Sequence, residues 1–228
     1  MRKYLYLAMA VASATVLAAP VVAQAAPSAH AHVLTIKKVG GTAVKPGAVL
    51  KANLAKGATA KFVIGSGASA ITITCKSSSF TAKVVKNPLT KGSATESVTA
   101  ESVGKCTASL SGLKVGSITA LNRPYNSTVS DKKGLPVTVS GTKKTRPIEL
   151  KASATFSGQN LTCIYKAAMV AGKASNKGNT ITFTKQKFTV ATKGSSPLCA
   201  SIGPASFTAK YGPVKDTSVK GSPTVFVN

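Results

Sequence analysis

Short runs of alternating apolar and polar residues follow one another along most of this chain. In Ile71-Thr72-Ile73-Thr74-Cys75 and in Leu161-Thr162-Cys163-Ile164-Tyr165, the cysteine shares a face with apolar side chains two positions away. Val, Ile and Thr dominate these runs, and Gly, Pro and Asn separate them, which is typical of antiparallel strands joined by turns. Only residues 167–174 are a helix candidate, because no long stretch places apolar residues three and four apart. The pattern predicts an all-β protein in which both cysteines point inward.

The same alternation gives approximate bounds for the remaining strands. They are predicted at residues 33–39, 49–54, 59–64, 79–85, 96–103, 117–121, 137–140, 148–156, 180–190, 206–211 and 224–227. Many short strands at close spacing, with turn sequences between them, are typical of antiparallel sandwiches.

A set of short sequences occurs twice along the chain, in the same order. The pairs are Leu50-Lys51-Ala52 and Leu150-Lys151-Ala152, Thr74-Cys75 and Thr162-Cys163, Cys106-Thr107-Ala108-Ser109 and Cys199-Ala200-Ser201, Ser117-Ile118-Thr119-Ala120 with Pro124 and Ser206-Phe207-Thr208-Ala209 with Pro213, and Gly134-Leu135-Pro136 and Gly221-Ser222-Pro223. Each match is short, but their unbroken order indicates an internal duplication. We therefore predict two tandem, disulfide-containing antiparallel β-sandwich modules of the immunoglobulin-like type, at residues 48–141 and 148–228.

The segments outside these modules are also assigned from the repeat. The polar residues 142–147 separate the two copies and are predicted to be a linker. Residues 26–47 form an N-terminal segment, and within it residues 33–44 have no counterpart in the second copy. This segment is predicted to be an extra edge strand or a strap that joins the modules.

The first 25 residues have the composition of a secretory signal. Arg2 and Lys3 precede an apolar run at residues 5–19, and Ala23-Gln24-Ala25 fits the small-x-small rule for signal peptidase. A second candidate cut follows Ala31. No later apolar run reaches the roughly 18 residues that a transmembrane helix needs. The mature chain is therefore predicted to be secreted, and to be extracellular or associated with the cell wall.

Four cysteines in a secreted chain favour disulfides over metal binding, because the compartment is oxidising. Sequence alone allows three connectivities. The repeat selects the one connectivity in which each bond stays within its own copy. The predicted bonds are Cys75 with Cys106 and Cys163 with Cys199. Each bond closes a loop of about 30 to 40 residues and is expected to stabilise the fold by roughly 3 to 4 kcal/mol.

The charge of the chain is strongly positive, with 30 Lys and Arg against 5 Asp and Glu. Removing the signal takes away Arg2 and Lys3, so 28 basic residues against 5 acidic ones give the mature chain a charge of +23. Nearly all of the basic residues are lysines, which lack the planar guanidinium of arginine. They are also not interleaved with aromatic residues, as basic residues are in nucleic-acid-binding modules. We predict diffuse, salt-sensitive attraction to polyanions and no sequence-specific nucleic-acid binding. The candidate contacts are Lys37, Lys38, Lys132, Lys133, Lys143, Lys144, Arg146, Lys185 and Lys187.

Groups that carry catalysis are scarce. The only histidines, His30 and His32, precede the modules, which excludes a Ser-His-Asp or Cys-His site buried within them. Glu96 and Glu101 are an odd number of residues apart, so on a regular strand they face opposite sides and cannot form a glycosidase pair. We predict a chain that is not an enzyme, with no catalytic residue, cofactor or metal site. His32 at a new amino terminus would offer copper an amine and an imidazole, but the modules supply no further histidine.

Aromatic residues give no sign of a sugar-binding platform. The chain has no tryptophan, and Tyr165 lies on the inward face with Cys163. Tyr125 and Tyr211 flank the equivalent prolines, and we expect them to pack at a sheet corner rather than form an exposed patch.

Three segments carry a resemblance to known proteins. They are Leu121-Asn122-Arg123-Pro124-Tyr125, Ala174-Ser175-Asn176 and Gly221-Ser222-Pro223-Thr224-Val225-Phe226-Val227-Asn228. Through them the chain resembles a group of small exported actinobacterial proteins without an established activity, over most of its mature length. The resemblance implies export and β structure and supplies no functional residues.

The sequence leaves three functions open. The first is a non-catalytic binding or structural protein of the extracellular surface, which holds anionic cell-wall polymer by diffuse lysine charge. The second is an adaptor or inhibitor that binds an extracellular protein through an exposed strand or loop, for which residues 33–44 are the candidate. The third is a small-molecule carrier, which a deep apolar cavity would favour.

Overall fold

The computed structural model describes residues 31–228, which are mostly β-strand and contain almost no helix. The strands are β1 (Leu34–Ile36), β2 (Thr42–Ala43), β3 (Val49–Asn53), β4 (Ala60–Ile64), β5 (Ile71–Lys86), β6 (Ser93–Ala108), β7 (Leu113–Leu121), β8 (Tyr125–Ser130), β9 (Pro136–Ser140), β10 (Ile148–Phe156), β11 (Gln159–Ala167), β12 (Met169–Ser175), β13 (Thr180–Val190), β14 (Ala205–Tyr211), β15 (Lys215–Asp216) and β16 (Val225–Val227). A 3-10 turn (Gly67–Ser69) and a short helix, α1 (Pro197–Ile202), complete the described elements. The predicted signal peptide, residues 1–25, lies outside the described residues.

Eight antiparallel strands close into a barrel to which both copies of the repeat contribute. Their order is β4, β5, β6, β7, β10, β11, β13 and β14, and β14 pairs with β4. The strand that carries each copy of the repeated Ser-x-Thr-Ala sequence crosses to the other copy. Ala120 of β7 faces Leu150 of β10, and Phe207 of β14 faces Phe62 of β4. The prediction of two separate immunoglobulin-like sandwiches is wrong, because the two halves share one closed sheet.

A second arc of strands makes the barrel wall branch. Two sets of three paired strands connect β6 to β13, and each set is called an arc here. One arc is β7, β10 and β11, and the other is β8, β9 and β12. Along β6, residues up to Val98 pair with β8, whereas Val103 pairs with β7. Along β13, Phe183 pairs with β12, and Val190 pairs with β11. The wall therefore splits between the two arcs, about halfway along β6 and β13.

A small three-stranded sheet covers one end of the barrel. Strand β1 lies between β2 and β16, with Leu34 opposite Val227, so the N-terminal segment pairs with the C-terminal strand. Leu34 and Val227 line a small cavity together with Glu96 of the barrel interior. Val33, Leu34 and Val44 are buried, at 0, 2 and 2% exposure. Their side chains are therefore not available to a binding partner.

The helix candidate at residues 167–174 is not a helix and instead comprises the end of β11 and most of β12. Val170 is buried between the exposed residues Met169 and Ala171, which is the period of two that a half-buried strand requires. The α-helix within residues 31–228 is α1, which has six residues and includes the buried Cys199. Within residues 31–228, no helix is long and apolar enough to cross a membrane.

Candidate functional site

Two disulfides fix the barrel, and they are the two pairs that the repeat predicts. Cys75 and Cys106 face each other across the β5–β6 pairing and are bonded. Cys163 on β11 is bonded to Cys199 on α1. Both bonds lie near strand pairings that join the two copies. The first bond is next to β4, which pairs with β14, and the second is on β11, in the arc where β7 pairs with β10.

The outer surface carries nearly all of the positive charge and very little negative charge. All 28 basic residues among residues 31–228, which are the 30 of the chain less Arg2 and Lys3, have exposed side chains. None of the 5 carboxylates belongs to the exposed class. Glu96 and Asp216 are buried, and Glu101, Asp131 and Glu149 are partly buried. The surface is therefore an almost uninterrupted positive field.

The nine predicted polyanion contacts are all exposed, and they lie on four separate parts of the fold. Lys37 and Lys38 follow β1, and Lys132 and Lys133 lie in the turn between β8 and β9. The loop between β9 and β10 carries Lys143, Lys144 and Arg146, and the middle of β13 carries Lys185 and Lys187. The chain therefore distributes these nine charges over four parts of the fold.

The barrel encloses a cavity of about 80 Å³. Its walls are mainly aliphatic and aromatic side chains, among them Val98, Ile148 and Phe183. The polar groups in the lining are two carboxyls, two tyrosines and the hydroxyl of Ser127. This volume exceeds what one water molecule needs and is smaller than that of a typical drug-sized ligand pocket.

Glu96 and Glu101 both line this cavity, so the prediction that they face opposite sides is wrong. The cause is a β-bulge in β6. Ala100 faces Thr81 and Val98 faces Ala82, which leaves Thr99 as an extra residue without a partner on β5. One extra residue reverses the alternation beyond it, and both glutamates consequently point inward. Val98 and Ala100 flank Thr99, and no Gly marks the bulge, so the alternation gave no signal of its presence.

Burial dominates the ionisation of both carboxyls. Desolvation raises the pKa of Glu96 to about 7, and a hydrogen bond that the Ser127 hydroxyl donates at 3.0 Å opposes the shift. Desolvation also raises the pKa of Glu101 to about 7, against the attraction of the Arg123 guanidinium. Near neutral pH each carboxyl is therefore divided between its charged and neutral forms.

The two tyrosines beside the cavity are buried structural residues, as predicted. Tyr211 is 3% exposed, its ring packs edge-on against Phe80, and its hydroxyl is 2.9 Å from that of Ser78. Tyr125 is 2% exposed, and its hydroxyl donates to the backbone carbonyls of Leu121 and Glu149. Their hydroxyls are thus already hydrogen bonded.

Tyr165 is the exception among the described tyrosines. It is 5% exposed, as the sequence predicts, and its hydroxyl has no hydrogen-bond partner among residues 31–228. The ring lines a smaller cavity of about 20 Å³, which shares Leu150 and Phe188 with the walls of the larger one. A buried hydroxyl without a partner costs free energy. The smaller cavity has room for about one water molecule that would satisfy it.

Residues that could hold a metal are not brought together in the described chain. Residues 31–228 contain no group of three or more His, Cys, Asp and Glu side chains placed to share an ion. The imidazole Nδ1 of His32 lies 2.6 Å from the backbone carbonyl of Asn87, and His30 lies outside the described residues.

The chain is an all-β protein with a closed eight-stranded antiparallel barrel, two disulfides and an interior cavity. In comparisons with known proteins, no family model, no curated protein and no solved structure matches it.

Proposed function

We propose that this chain is a secreted, non-catalytic binding protein that is held to an anionic polymer of the extracellular surface by diffuse lysine charge. The observation that carries the proposal is the separation of charge between surface and interior. All 28 basic side chains of residues 31–228 are exposed, and no carboxylate is in the exposed class to neutralise them. A phosphate-rich wall polymer is the partner whose chemistry complements such a field.

Secretion is supported by the sequence and by the covalent structure. The signal-like residues 1–25 direct export, and the two disulfides suit an oxidising compartment. Lysine suits non-specific attachment, because its ammonium is a strongly hydrated point charge that does not select one geometry of phosphate. Such a protein coats a polymer rather than recognising one sequence of units.

Binding to purified teichoic acid is expected to be strong at low salt and to collapse as salt rises. With about five phosphate contacts and the salt dependence of a single-stranded polyanion, a fourfold increase in salt concentration weakens the affinity about a hundredfold, because released counterions drive the association. The affinity is measured by titration at several salt concentrations, with a neutral glucan as the control polymer. Absence of binding to teichoic acid at low salt would overturn the proposal.

Two triple variants with equal loss of charge distinguish a diffuse field from a local site. One carries Lys143→Gln, Lys144→Gln and Arg146→Gln, and the other carries Lys132→Gln, Lys133→Gln and Lys187→Gln. A diffuse field predicts that both weaken binding by the same factor and reduce the salt dependence equally. A loss confined to one variant would assign the contact to the three residues changed in it and contradict the diffuse mechanism.

A further inference from the structure

The interior cavity lies where the barrel wall splits. On β6, Val98 is the last residue that pairs with β8, and Val103 pairs with β7, so residues 99–102 lie between the arcs. Arg123 bridges the split, because its guanidinium donates to the carbonyls of Thr99 and Ala120, both at 3.3 Å. Glu101 lines the cavity and is also partly exposed. Glu101 therefore lies where the barrel wall splits.

The chemistry inside the cavity is opposite to that of the surface. Two of the 5 carboxylates of the chain line one apolar space, where no lysine accompanies them. Glu96 is 8% exposed and receives one hydrogen bond, from Ser127. Among residues 31–228, no group donates a hydrogen bond to the Glu101 carboxylate, and Arg123 acts on it only through its charge. Burying carboxylates in this way is costly unless a cation or hydrogen-bond donors meet them.

We propose that the barrel cavity is a binding site for a small molecule with an apolar body and a protonated amine, which pairs with Glu101 and Glu96. The aliphatic and aromatic walls take the apolar body, and the ammonium supplies donors to carboxylate oxygens that lack them. A carboxylate is repelled by the glutamates in their ionised form. A purely apolar molecule would leave the Glu101 carboxylate without a hydrogen-bond donor and Glu96 with Ser127 alone.

The volume of the cavity limits the size of the ligand. About 80 Å³ is roughly six times the 10 to 15 Å³ that one water molecule needs, so the cavity has room for about five non-hydrogen atoms, such as an alkyl chain of four carbons with its amine. The hydroxyl of Tyr165, which is buried without a partner among residues 31–228, lies beside the neighbouring smaller cavity. The interior thus contains polar groups at two places that the chain itself does not satisfy.

Binding of an ammonium is coupled to the release of protons. Burial raises the pKa of Glu96 and Glu101 to about 7, so at pH 6 the ligand must displace a proton. The groups near them are the Ser127 hydroxyl, the Arg123 guanidinium and the phenols of Tyr125 and Tyr211, whose pKa values are raised by burial. Because burial raises the pKa of both phenols above the usual value of 10, neither ionises between pH 5 and 8. Affinity is therefore expected to rise up to about tenfold per pH unit for each displaced proton, and to level off above pH 7.

The experiment compares three probes of one length, namely n-butylammonium, 1-butanol and butyrate. Binding is followed by NMR of the methyl groups of Val98, Val139 and Ile148, which line the cavity. Salt near 0.1 M screens the lysine field beyond about 10 Å, so that cations approach the cavity. Glu101→Gln removes the proposed partner, and Glu149→Gln is the matched control because Glu149 does not line the cavity.

We expect n-butylammonium to shift these methyl signals saturably, at least roughly tenfold more tightly than 1-butanol, with no effect of butyrate. Glu101→Gln should remove this advantage while leaving 1-butanol unchanged, and Glu149→Gln should bind as the parent does. Failure of n-butylammonium to shift the methyl signals would overturn the proposal. Equal affinity for 1-butanol and n-butylammonium in the parent protein would also overturn it, since the carboxylates would then play no part.

Discussion

Raising the pH from 5 to 7.5 is expected to lower the free energy of unfolding by several kcal/mol. In the unfolded chain both glutamates titrate near 4.5, whereas burial raises the pKa of each to about 7 in the folded barrel. Between these values the folded state keeps protons that the unfolded state has lost, so stability falls as pH rises. Below 4.5 both states are protonated, and above 7 both are ionised, so the loss is confined to this window. Each carboxyl contributes about 3 kcal/mol.

The measurement is urea unfolding at a series of pH values, with both disulfides intact. Glu96→Gln removes one titrating group while the amide oxygen still accepts from Ser127, so it should halve the slope and stabilise the protein at pH 7.5. Glu149→Gln removes the same charge outside the cavity and should keep the parent slope. A parent protein whose stability is constant from pH 5 to 7.5 would show that the two glutamates are hydrated in the folded state.

Alternation along the strands predicted which side chains are buried, and the structure confirms much of that prediction. Cys75 and Tyr165 are inside, and β3, β4 and β10 lie within two residues of the predicted bounds. These features depend on local periodicity, which the sequence carries directly. The disulfide pairs were also predictable, because the repeat identifies which cysteines are equivalent.

The partner of each strand was not predictable from the same pattern. A strand with one apolar face buries that face equally well against its own repeat or against the other copy. Strand β7 therefore carries no local sign that, besides β6 of its own half, it pairs with β10 of the other copy. Two separate sandwiches and one shared barrel need the same alternation, and only the tertiary structure distinguishes them.

The cavity was missed for a related reason. Predicting it required the position of the bulge at Thr99, which sets the direction of Glu101 relative to Glu96. A bulge adds a single residue and is stabilised here by contacts from distant residues, including the Arg123 guanidinium that donates to the Thr99 carbonyl. The sequence could indicate the cavity only through an acidic residue on an otherwise apolar face. That residue can be recognised only when the position of the bulge, and so the set of inward-facing residues, is known.

Asn87→Ala is expected to lower the free energy of unfolding by about 4 kcal/mol, because several buried backbone groups lose their partners. Asn87 is 7% exposed, and its Oδ1 accepts from the Leu34 amide at 2.8 Å. Its Nδ2 donates to the carbonyls of Leu34 and Val44, both at 2.8 Å. One side chain therefore attaches the small sheet to the end of the barrel.

Urea unfolding of Asn87→Ala is compared with that of Asn126→Ala, in which the replaced amide lies exposed on β8. The control should change stability by less than about 0.5 kcal/mol. An equally small effect for Asn87→Ala would show that water replaces all three hydrogen bonds. Because Leu34 and Glu96 line the same small cavity, loosening the sheet also admits water to that carboxyl. The pKa of Glu96 should then be raised less by burial, and the decline of stability with pH should become shallower in Asn87→Ala than in the parent.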